Sequence, residues 1–215
     1  MKRSLLALTI LLLLCFSAPA QTKSPDHGTI KDGVYYNLYF NFAFTYPKDW
    51  VVHEQATNDR IHERALEEAA KTGNLAQQKN TYILLTVTRH PKGTPGINVN
   101  SGVFVVAEKV PGNADGKDYL LSLRQVRQEK KSDQPLLDKP EEFRVAGMQF
   151  FRDDYTGSVN GINKRQSVFV HVKKGYAIIF SFTGGDEKSV AEMATTMNSI
   201  LPVGSGGGNM PKNPQ

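Results

Sequence analysis

The chain has 215 residues, with 26 lysines and arginines against 21 aspartates and glutamates, for a formal net charge of +5. So mild a balance argues against nucleic acid as a partner, which calls for a concentrated basic surface. The single cysteine, Cys15, leaves no disulfide to form within the chain.

Residues 1–20, MKRSLLALTILLLLCFSAPA, combine a basic start at Lys2 and Arg3, an apolar run from Leu5 to Phe16 and a small-x-small ending at Ala18-Pro19-Ala20. This is the pattern of a secretory signal peptide, with cleavage expected before Gln21 and a periplasmic or extracellular, bacterial destination. The apolar run is too short to cross about 30 Å of hydrocarbon, and no later segment approaches that length, so no transmembrane segment is expected in the mature chain. Leu14 precedes Cys15 where lipoprotein processing requires a small residue. Cleavage would remove the cysteine, and with it thiol catalysis and cysteine-ligated metal. Losing Lys2 and Arg3 would also lower the charge from +5 to +3. The remaining length is ample for one hydrophobic core without disulfides.

Residues 21–33, QTKSPDHGTIKDG, are polar and aperiodic and read as a flexible leader; residues 34–202 form the domain, and residues 203–215, rich in glycine, a flexible tail. Phe40, Phe42, Phe44 and Tyr46 alternate with Asn41, Ala43 and Thr45, which places four rings on one face of a strand that Pro47 ends. After a turn, Trp50, Val51 and Val52 begin another extended piece. Rings so arranged are read as core, with the Tyr35 to Val52 stretch opening the main sheet and Trp50→Ala expected to cost about 3–5 kcal/mol.

Asn58 to Gly73 reads as a surface helix with an Asn/Asp start and a Gly stop, its thin apolar face formed by Ile61, Ala65, Leu66 and Ala69 and its solvated face by Glu63, Glu67, Glu68 and Lys71. Thr81 to Arg89 is a nearly continuous apolar run, as for a strand covered on both faces. An irregular loop, His90 to Gly102, leads to a strand over Val103 to Val110. From Asp115, Tyr119, Leu120, Leu123 and Val126 recur at helical spacing, and Lys130-Lys131 suit the negative pole of that helix. Strands are expected at Glu141 to Val145, Met148 to Tyr155, Lys164 to Val172 and Tyr176 to Phe182, with connections short enough for an antiparallel meander. Asp186 is the expected cap of a closing helix striped by Val190, Met193, Ala194 and Met197. Few helices and many strands define an α+β fold, an α-β-α sandwich with a largely antiparallel sheet and helices on both faces.

FNFAFTYPKDW (Phe40–Trp50), RQSVFVHVKKGYAIIFSFTG (Arg165–Gly184) and the closing MNSIL (Met197–Leu201) together resemble the PsbP-like superfamily. That superfamily includes the extrinsic photosystem II subunit, bacterial envelope proteins of the DcrB and LpqN kind, and a nuclear-import factor that binds the GTPase Ran. The resemblance implies an α-β-α sandwich serving as a docking or accessory module, with no shared enzymatic activity and no catalytic residue to carry over. Together with an export signal, it implies a bacterial envelope protein.

The chemistry-bearing residues fit that expectation. The histidines, His27, His53, His62, His90 and His171, are scattered without metal-ligand spacing, and His171 reads as a hydrogen-bonded sheet residue. Asp153 and Asp154 are neighbours on a strand and face opposite ways, so they cannot converge on one proton or one glycosidic bond; with Arg152 they read as cross-strand ion pairs. Ser158, Ser167 and Ser181 lack a nucleophile elbow, and TGGDEKS (Thr183–Ser189) lacks P-loop spacing. No catalytic, cofactor-binding or metal-ligating residue is assigned, and no cofactor. The expected partner is another envelope protein, docked at the His90 to Gly102 loop and the edge near the first helix. The alternative is a small apolar ligand held among Phe42, Phe44, Tyr155 and Phe180, and an unrecognised hydrolase ranks below it.

Overall fold

The structure, a computed structural model, describes residues 25–72, 80–130, 133–159 and 161–203. Residues 1–20, read from the sequence as a signal peptide, Gly73, Lys131 and the residues beyond Val203 lie outside the described residues. Eleven strands are present among them: β1 (Thr29–Lys31), β2 (Val34–Asn37), β3 (Phe42–Thr45), β4 (Val51–Val52), β5 (Thr81–Thr88), β6 (Gly102–Lys109), β7 (Asp133–Pro135), β8 (Glu141–Val145), β9 (Met148–Val159), β10 (Ile162–Lys173) and β11 (Tyr176–Gly184). The helices are α1 (Gln55–Thr72), α2 (Gly116–Glu129) and α3 (Glu187–Ala194), the last continued by a 3-10 turn at Thr195–Ser199.

The strands form two sheets. The large sheet runs β4-β5-β6-β11-β10-β9-β7, with β8 also paired to β9, and every pairing is antiparallel. The small sheet is β1-β2-β3. Its first turn, Asp32-Gly33, has φ of 52° and 77°, the left-handed pair that a two-residue hairpin needs. Thr29–Lys31, read from the sequence as flexible leader, are therefore a paired strand. The Tyr35 to Val52 stretch does not open the main sheet. It builds the small one, and only Val51 and Val52 join the large sheet, at its edge.

The large sheet is covered on both faces. On one, α2 packs across β7, β9 and β10 and buries Leu120 with Tyr155, Val168, Val170 and Ala177. On the other, the small sheet and α3 enclose Phe42, Phe44, Phe169, Phe180, Phe182, Val190 and Met193. Val168 and Val170 thus face opposite to Phe169, as a period of two requires. Helix α1 packs on β5.

Three local expectations change. Helix α1 starts at Gln55, so Asn58 lies buried inside it instead of capping it. Ile61, expected on the buried stripe, is 41% exposed. Trp50 is only half-buried, packed against the rim of the larger core cluster, so its truncation should cost less than a core tryptophan's 3–5 kcal/mol. Helices α2 and α3 begin where expected: Asp115 accepts from the Asp118 amide in a capping box, and Asp186 accepts from the Ser189 amide.

Candidate functional site

At the open edge of the large sheet, the chain turns after Pro47, whose carbonyl accepts from the Trp50 amide at 3.1 Å, and lays Val51 and Val52 beside Thr88 and Val87. The His53 amide then donates to the Thr86 carbonyl at 2.9 Å before α1 begins. A cleft of about 450 Å³ opens here between β4, α1 and the start of the His90–Gly102 loop, lined by Val51, Val52, His53, Glu54, Thr57, Arg60, Ile61, Arg64, Pro91 and Lys92.

Hydrogen bonds fix its walls. Thr88 Oγ1 donates to the His90 carbonyl at 2.9 Å, so at 3.0 Å from His53 Nε2 it accepts, which puts the imidazole proton on Nε2. Burial, helped by the Lys92 ammonium, holds His53 below its ordinary value. The loop's base is closed by Asn100, which accepts from the His90 amide and donates to the His90 carbonyl at 3.1 and 2.7 Å, and by the Arg89 amide on the Ser101 carbonyl at 2.8 Å.

The cleft is cationic. Arg60 turns back onto its own helix, with Nε 3.2 Å from the Ala56 carbonyl and a terminal nitrogen 3.1 Å from Thr57 Oγ1. Among the described residues Arg60, Arg64 and Lys92 form no ion pair, and Glu54 is the one carboxylate lining the cleft. Exposed Ile61, with Val51, Val52 and Pro91, supplies an apolar wall. The sequence pointed to this loop and helix edge, but the basic side chains at 60, 64 and 92 were not picked out, because they converge only when α1 folds back beside Pro91.

The other candidates are tied down internally. Arg124 of α2 grips the fully buried Asp153 with two bonds, 2.6 and 2.7 Å, and donates to the Leu137 and Asp138 carbonyls. The cross-strand reading is thus corrected: Asp153 pairs with a helix, and Asp154 pairs within its own strand to Arg152 while accepting from Ser167 at 2.6 Å. Arg127 lies 4.0 Å over the Tyr155 ring and bonds Asp133 and Gln166. Ser181 accepts from Gln166 at 2.6 Å. His171 donates through Nδ1 to the Gln149 carbonyl at 2.8 Å, and burial holds its pKa down. Of the rings assigned to an apolar ligand, Phe42 and Phe44 pack edge-on against Phe180 at 5.5 and 5.3 Å, and Tyr155 belongs to the opposite face. They fill one another's space and do not enclose a common cavity.

The architecture defines an α+β sandwich whose long antiparallel meander is roofed by one helix on one face and by a helix and a small sheet on the other. The solved structure of the cyanobacterial PsbP protein CyanoP from Synechocystis aligns with 81% of this chain and 96% of its own at TM-score 0.50 and 12% identity, so the protein has the PsbP-like fold that the sequence resemblance implied. LpqN of Mycobacterium tuberculosis, described as involved in cell envelope biogenesis, aligns with 75% of this chain and 83% of its own at TM-score 0.44 and 13% identity. No family model and no curated protein matches the chain.

Proposed function

We propose that the protein is an exported, non-catalytic accessory module of the bacterial envelope that docks on another envelope protein through the cleft at Val52 and His53. The observation that carries this reading is the cleft itself: an apolar wall and three basic side chains without carboxylate partners among the described residues, at the open edge of a sheet. Such a surface, with apolar side chains beside charged ones, suits protein contact. Elsewhere, Asp153, Asp154, Ser167 and Ser181 are held in internal bonds and support the fold. Export rests on residues 1–20 and predicts a mature chain that begins at Gln21, read by mass spectrometry of the exported protein.

Site-specific cross-linking in cells tests the docking site. A photoreactive residue at Ile61 is expected to give one discrete protein adduct. The same residue at Leu121, 45% exposed on α2, should give none. Equal adducts from both positions, or none from Ile61, remove the cleft as the docking surface.

A further inference from the structure

The backbone of β4 adds a second feature to the charge of the cleft. β4 is the end strand of the large sheet. In antiparallel pairs, residues that exchange both hydrogen bonds alternate with residues whose N–H and C=O point away. Because the His53 amide bonds Thr86, the Val52–Val87 pair is of the second kind, and the Val52 N–H and C=O face outward beside the cleft. Such an outward pair is a template for one more strand. Around it stand Arg60, Arg64 and Lys92, with Ile61 exposed among them.

We propose that the cleft takes an extended, acidic segment of the partner protein, which adds as a strand beside Val52 and alternates carboxylates with apolar side chains. This rests on the docking reading and names the chemistry of its partner. Alternate residues of a strand point the same way, so one set of side chains, the carboxylates, enters the cleft toward Arg60, Arg64 and Lys92. The attraction comes from charge complementarity at a half-exposed surface, so salt weakens it. The outward-facing Val52 backbone pair sets the register, which charge alone would not.

The test uses the mature full chain and an alternating Asp-Val peptide of about eight residues, a strand of ordinary length, labelled for fluorescence anisotropy. Saturable binding is expected, weakened about fivefold to tenfold by Arg64→Glu with Lys92→Glu, on the scale of two exposed ion pairs. Both positions lie outside the core, and an unchanged Tm confirms that the variant folds. An Asn-Val peptide should bind more weakly, and an Asp-Val peptide with a central proline should lose binding because it cannot donate to Val52. Equal binding of the Asn-Val peptide overturns the acidic assignment, and equal binding of the proline peptide overturns strand addition. Displacement of the Asp-Val peptide by vesicles containing phosphatidylglycerol, with the same loss in the double variant, would assign the cleft to anionic lipid and overturn a protein segment. The Ile61 cross-link separates the two levels: if the adduct forms but excess Asp-Val peptide leaves it unchanged, docking stands and the acidic strand falls, whereas no adduct removes docking itself.

Discussion

Asp153 is a charge held inside the fold. It is fully buried, accepts two bonds from Arg124 and a third from the Asp154 amide, and its partner guanidinium is itself only 12% exposed. Breaking such a pair on one side strands a charge away from water. Asp153→Ala should therefore cost about 3–5 kcal/mol in urea denaturation, and the paired replacement Asp153→Leu with Arg124→Met should recover most of that loss. The opposite orientation of Asp153 and Asp154 was legible from strand periodicity. The partner was not, because Arg124 lies 29 residues earlier on a helix, and only the docking of α2 brings it over β9. His171 gives a pH-dependent case. Its imidazole is half-buried and held below the ordinary value near 6.5, so the unfolded chain binds the proton more tightly than the fold does. Stability is fully retained above about pH 6.5 and declines as pH falls through that value toward the lower folded pKa. His171→Gln, which keeps a donor for the Gln149 carbonyl, should flatten the Tm-against-pH curve in that window.

Elements show more clearly what sequence periodicity can and cannot convey. The four late strands and the starts of α2 and α3 were readable because turn residues and caps act locally. The β1–β2 hairpin carries an Asp-Gly pair, a strong local hairpin signal, yet its first strand is three polar-flanked residues long and is held by pairing with Val34, Tyr35 and Tyr36. The start of α1 slipped for a related reason: Asn58 is a good cap by type, but the backbone turns helical at Gln55 because β4 ends at Val52. The contact between α2 and the sheet makes a sharper prediction. Gly116 opens α2 against β10, and a Cβ there would sit 2.6 Å from the Val170 carbonyl oxygen and 3.2 Å from the Phe151 ring. Neither neighbour can withdraw, since Val170 is paired on both sides and Phe151 packs against the smaller core cluster. Gly116→Ala should lower stability by about 1–3 kcal/mol despite the better helix propensity of alanine, measured as a drop in Tm.

At the scale of the whole molecule, the chain's early and late segments meet on the same side of the large sheet. The Ala43 and Leu201 backbones exchange hydrogen bonds of 2.7 and 3.1 Å, and Ser199 Oγ donates to the Thr45 carbonyl and accepts from the Thr45 amide. Ile200, fully buried between these contacts, joins the cluster that holds Phe42, Phe44 and Phe180. The small sheet is too slight to persist alone, since a short sheet needs a hydrophobic partner for stability. It should therefore unfold only together with the large one, as a single cooperative unit. Trp50, the one tryptophan, lies at the junction between the two sheets and reports on the packing there, whereas far-UV circular dichroism reports chiefly on the large sheet and the helices. The two urea transitions should coincide. Ile200→Ala should shift both to lower urea by the same amount, corresponding to a loss of about 2–5 kcal/mol. An earlier fluorescence transition in that variant alone would mean that Ile200 only pins the small sheet down. Early fluorescence loss in both proteins would mean that the small sheet is a separate unit, and the cleft beside β4 would then rest on the large sheet and α1 alone.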